Sequence, residues 1–285
     1  MIRATADADG LSFKGTVNGA VVYLDTWAIG DLAERAHPRR TRFIEAMRGM
    51  DLLFSVTNAA ELSGPQGRSA DAVRAFLDEI GPRWVPAELS LIDVMDREMA
   101  STLNEGSPCV SESFMKSFVV HVLRSYAPGS GKVIGLSDDF FKLGSVLDWM
   151  NPQRESIRKS LTDWDDLLRN KIGEISEKAK QNSRWLDERF PRIPFHPVRR
   201  ACFVFGNLLR MLVDEGGAIQ KGDGMDFCHA VVASAYASFA TLDKRWKRRV
   251  ESLPKPNQLA HIYSPSELDQ MVTDMELWLA QREAS

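Results

Sequence analysis

Two short, unbroken apolar runs constrain this chain more than any other feature. Ala20, Val21, Val22, Tyr23 and Leu24 form the first, and Leu52, Leu53, Phe54, Ser55 and Val56 the second, each passing at once into a helical pattern. A strand with one wet face alternates polar and apolar residues. Runs this continuous and this short read instead as strands buried on both faces, as in a parallel sheet covered by helices. The order then repeats. Residues 69–80 carry Ala72, Val73, Phe76, Leu77 and Ile80 at helical spacing and close on Gly81-Pro82, after which Trp84, Val85 and Pro86 read as a third strand. Strand character returns at 239–242 and 260–263. Alternating strands and helices place the chain in the α/β class with a mostly parallel sheet.

Between these ends, residues 89–216 change to helix after helix, with apolar spacing at Phe114, Phe118 and Val122 and again at Leu161, Trp164, Leu168 and Ile172. Residues 151–190 are long, charged and weakly apolar, and are expected to form one or two long helices, a hairpin projecting from the body. At the front, residues 11–19 partly alternate and contain Asn18-Gly19, which predicts a short hairpin turning there. At the back, Ser264, Pro265 and Glu267 stand in capping-box order before Leu268, Met271, Val272, Met275 and Leu279, which predicts a terminal helix.

With 285 residues, 44% of them hydrophobic, the chain can bury a substantial core. A formal net charge of -3 gives no bulk attraction for a polyanion, so a nucleic-acid partner must be held by a local basic patch or through metal ions. Cys109, Cys202 and Cys228 are odd in number and far apart in apolar surroundings. That pattern suits buried thiols in a reducing cytoplasm rather than disulfides or zinc. Residues 1–10 lack the apolar region of a secretory signal, and the longest apolar stretch, 230–240, is interrupted by Ser234 and Ser238. It falls short of the roughly 20 residues a bilayer demands, so no membrane association is expected.

The polar residues that carry chemistry follow the strands. Asp25 directly follows the first strand, Glu61 lies on the helix after the second, Asp243 directly follows 239–242, and Asp226 opens the helix leading into that strand. The carboxyl ends of parallel strands share one edge, so acids distant in sequence converge there. Their mutual repulsion is best relieved by Mg2+ or Mn2+, hard ions that prefer oxygen ligands. Taken singly, each Asp also reads as a helix N-cap, and Glu61 as an ordinary exposed helical residue.

Jointly, these segments resemble the PIN-domain family. Val21, Val22, Tyr23, Leu24, Asp25 and Thr26 are similar to its first strand and first metal-binding acid, and Asn58, Ala59, Ala60, Glu61 and Leu62 to the helix carrying its glutamate. Gly222 through Ala230, with Asp226, resembles its third acid at a helix start; Phe239, Ala240, Thr241, Leu242 and Asp243 resemble its strand ending in Thr-x-Asp. The resemblance covers residues 20–86 and 218–263 and implies a three-layer α/β/α PIN-like domain assembled from both ends of the chain. On that division residues 1–19 are an N-terminal hairpin or extension, 20–88 and 217–285 the two parts of the domain, the second with the C-terminal helix, and 89–216 a large all-helical insertion, longer than a compact member needs.

The resemblance further implies metal-dependent endoribonuclease activity, with Asp25, Glu61, Asp226 and Asp243 holding one or two Mg2+ or Mn2+ ions. Asp223 reads as a second ligand, a supporting group or the helix cap, and Thr26 and Thr241 as hydroxyls that orient a carboxylate or phosphate. Lys244, Arg245, Lys247, Arg248 and Arg249 flank Trp246 directly after Asp243, where they would draw an RNA backbone across the metal edge; a solvated helix face is the other reading. His229 reads as a packing residue. The segment Gly129, Ser130, Gly131, Lys132 is not a phosphate loop, because Tyr126 stands where its first glycine is needed and Val133 replaces its Ser or Thr. Two rivals remain open: an inactive PIN-like binding module whose insertion docks a protein partner, and a nuclease acting on DNA. A monomer and a homodimer are equally open.

Overall fold

In the computed structural model the described residues are 2–7, 10–15, 17, 19–34, 38–64, 68–100, 108–126, 142–216 and 220–284. Strands β1 (Ile2–Asp7) and β2 (Gly10–Gly15) pair antiparallel as a separate two-stranded sheet. Then follow β3 (Ala20–Tyr23), α1 (Thr26–Leu32), α2 (Pro38–Ala46), β4 (Met50–Ser55), α3 (Val56–Leu62), α4 (Arg68–Ile80) and β5 (Trp84–Ala87). The helical block comprises α5 (Leu91–Ala100), α6 (Glu112–Tyr126), α7 (Leu143–Met150), α8 (Arg154–Gln181), α9 (Ser183–Arg189) and α10 (Arg200–Glu215). The chain closes with α11 (Asp223–Tyr236), β6 (Phe239–Thr241), α12 (Lys244–Glu251), β7 (His261–Tyr263) and α13 (Leu268–Glu283).

The main sheet is all parallel, in the order β5-β4-β3-β6-β7. From β3 the chain builds outward through β4 and β5, and after the helical block it returns to the other side of β3 for β6 and β7. The direction of winding therefore reverses between β3 and β6, and such a reversal opens a crevice at the carboxyl ends of the strands. Side chains alternate across the sheet. Val22, Leu24, Leu52, Phe54, Trp84 and Phe239 join one buried cluster with α1 to α4, α6, α7 and α13. Val21, Tyr23, Leu53, Val85, Ala240 and Ile262 join a second cluster with α5, α10, α11 and α12. Helices thus cover both faces, which is why the strands read as continuous apolar runs.

Two expectations need correction. The N-terminal hairpin is made by Ile2–Asp7 and Gly10–Gly15 with Asp7 opposite Gly10, so residues 11–15 are its second strand and not its first. Asn18 and the Gly129 to Lys132 segment lie outside the described residues. The second correction concerns residues 151–190, which do not project. Helix α8 lies against α3, α10 and α11, burying Asp165, Ile172 and Ser176. Residues 89–216 as a whole supply both cores, through Phe114, Phe118 and Val146 on one face and Val94, Phe203 and Leu208 on the other.

The remaining elements follow the sequence closely. Ser264 and Glu267 form a reciprocal capping box ahead of α13. No disulfide joins the three cysteines. Among the described residues no helix is long and apolar enough to cross a membrane.

Candidate active site

The strand ends deliver the acids. Asp25 follows β3 and caps α1, its Oδ1 accepting the Thr26 N–H at 2.7 Å. Asp243 follows β6 and caps α12 in the same way, accepting from the Trp246 N–H at 2.7 Å. Both aspartates therefore satisfy the cap reading, and each keeps a second carboxylate oxygen outside its cap bond. Glu61 sits exposed on α3, after the neighbouring strand β4. Asp226 stands in the first turn of α11, which begins at this edge of the sheet. All four line one pocket of about 50 Å3, together with Thr57, Met225, His229, Leu242 and Trp246. A space of that size holds an ion or a water or two.

The pocket is charged and poorly neutralised. Burial raises the Asp25 carboxyl from its ordinary 3.8 to about 6, with the charges of Glu61 and Asp243 adding to the shift against the opposing Thr26 hydrogen bond. Burial raises Asp226 further, to about 7, helped by Asp25 and Asp243. The indole N–H groups of Trp27 and Trp246 favour the ionised forms of Asp25 and Asp226, yet neither reaches hydrogen-bond geometry. Among the described residues, the cation against the ring of acids is Arg245, 3.7 Å from Asp226. As placed, no three His, Cys, Asp or Glu side chains of the described residues are grouped as metal ligands. The donor chemistry, the shared pocket and the surplus negative charge nonetheless suit a hard divalent cation.

Several hydroxyls and amides set the frame. Thr26 donates its hydroxyl to Glu61, and buried Thr241 accepts the Asp25 backbone N–H at 2.8 Å. Asn58 was not singled out from the sequence as a site residue. It is fully buried, closes a capping box with Ser55, and donates from Nδ2 to the Leu24 carbonyl and the Thr26 hydroxyl, each at 3.3 Å. It thereby ties the end of β3 to the helix carrying Glu61. His229 lines the pocket with its Nδ1 against the Tyr23 hydroxyl, and burial lowers its pKa to about 4, so the ring is neutral.

Asp165 of α8 is the largest omission. Its buried carboxylate accepts from the N–H groups of Gly222 at 2.9 Å and Gly224 at 2.8 Å, capping α11 from another helix. Both glycines are required. Gly222 sits at φ 95°, and a Cβ on Gly224 would lie 2.9 Å from Asp165 Oδ1 and 3.0 Å from Leu168 Cβ. The only trace of this role in the sequence is an acid beside the apolar stripe of Trp164 and Leu168.

Asp223 is neither the cap of α11, which is Gly222, nor part of the acid pocket. Its buried carboxylate accepts from the Gln220 N–H at 2.7 Å and is clasped by both terminal nitrogens of Arg245. The basic run is likewise largely committed. Lys247 donates to the Ile262 carbonyl and pairs with Glu251 and Glu267. Arg249 pairs with Glu215 at 2.6 Å and stacks 4.8 Å from the centre of the Trp246 ring. Lys244 and Arg248 are exposed, and no ion pair engages either among the described residues. Comparison with protein-family models, with curated proteins and with solved structures finds no match.

Proposed function

We propose that this chain is a PIN-like, metal-dependent nuclease that hydrolyses RNA phosphodiester bonds. The observation that carries the reading is the convergence of Asp25, Glu61, Asp226 and Asp243 on one pocket at the carboxyl edge of the sheet. Asp25 and Asp243 flank the point where the winding reverses, and Glu61 follows the next strand along. These four residues would hold Mg2+ or Mn2+. Such an ion, when bound, neutralises charge on phosphate oxygens and lowers the pKa of water.

The chain's own residues supply the rest. Asn58 and Thr26 fix Glu61 relative to Asp25, Thr241 fixes the Asp25 backbone, and Asp165 fixes the helix start that carries Asp226. Arg245, anchored on Asp223 and 3.7 Å from Asp226, is placed to meet a phosphate oxygen arriving at the acids. Exposed Lys244 and Arg248 on α12 offer contacts to the substrate backbone.

The test is incubation of purified protein with mixed cellular RNA and, in parallel, single- and double-stranded DNA, each with Mn2+, Mg2+ or EDTA. RNA cleavage that requires the divalent ion supports the reading. Cleavage that persists in EDTA removes the metal mechanism, exclusive cutting of DNA reassigns the substrate, and metal binding without any cleavage leaves a binding module.

A further inference from the structure

A larger hollow of about 550 Å3 shares a wall with the acid pocket, because Thr57 and Met225 line both. Its volume falls within the range of small-ligand sites, roughly 300–1,000 Å3. Aromatic surface comes from Phe114, Trp149 and Trp164. Trp149 is held in place by the rings of Phe114 and Phe118, at 5.5 and 5.6 Å between centroids, so this part of the wall is preset. Hydrogen-bonding groups come from Ser90, Ser111, Ser117 and Gln153.

Charge decides what the hollow can hold. Among the described residues its lining contains no Lys, Arg or His, and the one ionisable side chain there is Glu88. That carboxylate already accepts from the Ser90 N–H at 3.0 Å, the Ser111 hydroxyl at 3.0 Å and the Arg97 guanidinium at 3.4 Å, so its charge is committed within the protein. An anionic group such as phosphate is therefore disfavoured, and an uncharged planar ring with polar edges is favoured. Thr57 adds an independent sign. It is 3% exposed, stands between the two hollows, and its hydroxyl has no hydrogen-bond partner among the described residues.

We infer that this hollow is a nucleobase subsite, which takes one unpaired base of a single-stranded RNA next to the phosphate at the acids. The inference rests on the nuclease reading for its substrate class. Met225 lines the base hollow and the next residue, Asp226, lines the acid pocket, so a base in the first places its own backbone beside the second. Stacking on aromatic faces suits unpaired bases, which can leave the helix stack, and tolerates all four. Much of the wall belongs to residues 88–164, which gives part of the helical block a role in selecting substrate.

The test uses the full-length protein and a labelled single-stranded RNA of about ten nucleotides, within the usual range of single-strand sites. A series of such RNAs carries one abasic position each, and affinity is measured by fluorescence anisotropy in EDTA. One position is expected to lose about tenfold in affinity while the others stay within about twofold. Trp164→Ala should flatten that profile, and so should Ser117→Glu, which adds charge at an exposed position on α6 without removing packing. A flat wild-type profile, no binding in EDTA, or a profile unchanged in both variants overturns the subsite. Cleavage of the same RNAs in Mn2+ is scored separately. Cleavage with a flat profile removes the base site and leaves the nuclease reading; a positional profile without cleavage keeps the base site and removes that reading.

Discussion

Asp25→Asn should stabilise the metal-free protein while disabling it. In the folded chain Asp25 titrates at about 6 against an ordinary value of 3.8, with burial the main cause. At 1.36 kcal/mol per pH unit, holding this carboxylate charged in the fold costs about 3 kcal/mol at pH 8. The sign follows from the proton. Below pH 3.8 both folded and unfolded chains carry it and the penalty vanishes; between about pH 4 and 6 the unfolded chain releases it first, and stability is lost as pH rises through the folded value. At pH 5 about half of the full penalty remains. Asparagine caps a helix about as well as aspartate, so the Thr26 bond survives the change. Asp226 shifts further but shows 46% of its side-chain surface, and solvent screening discounts its contribution. Allowing for relaxation around Asp25, a gain of about 2 kcal/mol, or about 5 °C in melting temperature, is expected in EDTA at pH 8. The gain should shrink to about half at pH 5. With Mn2+ at 100 times its dissociation constant the wild type gains about 2.7 kcal/mol, and the variant should fall below it. Melting curves at the two pH values, with EDTA and with Mn2+, measure all of this. A variant that melts at or below wild type in EDTA at pH 8, or whose advantage does not change with pH, refutes the reasoning.

Other substitutions separate positioning from contact. Asp165→Ala leaves the Gly222 and Gly224 N–H groups without their acceptor and should cost about 2 to 3 kcal/mol in chemical denaturation, with cleavage falling alongside. Gly224→Ala, whose added Cβ meets Asp165 and Leu168, should cost about 1 to 3 kcal/mol; unchanged stability would mean that α8 yields there. The double change Lys244→Ala, Arg248→Ala should lower the salt slope of RNA binding by up to about one per cation removed, at unchanged melting temperature. Lys247→Ala, Arg249→Ala should instead lower melting temperature and leave that slope near wild type, because both cations are held in ion pairs within the protein.

What the sequence revealed divides along local and non-local lines. The five strands of the main sheet were legible because each is a short run closed by a turn or a helix start, and burial on both faces leaves such runs unbroken. The four acids were legible because each follows a strand or opens a helix, and a parallel sheet brings those points to one edge. The first strand of the N-terminal hairpin was hidden because Ile2–Asp7 has no continuous apolar run, and only its pairing with Gly10–Gly15 makes it a strand. The docking of α8 was hidden because it depends on Asp165 meeting a helix start far along the chain. Residues 152–190 look removable in sequence; in the fold, replacing them with a linker would remove the cap of the helix that carries Asp226. The ion pairs of Lys247 and Arg249 were hidden for the same reason, since their partners Glu267 and Glu215 lie on other elements.

Binding of a divalent ion by the four acids is what the proposed chemistry requires first. Titration of the protein with Mn2+ at pH 7.5, with free Mn2+ followed by electron paramagnetic resonance, measures it without reference to any substrate. One or two bound ions are expected for the wild type, displaced by excess Mg2+, and a loss of at least about tenfold in affinity for Asp243→Asn, because the amide keeps the helix cap but removes the charge a hard cation requires. Mn2+ binding that is absent from the folded wild type, or as tight in Asp243→Asn and Asp25→Asn as in the wild type, would contradict it.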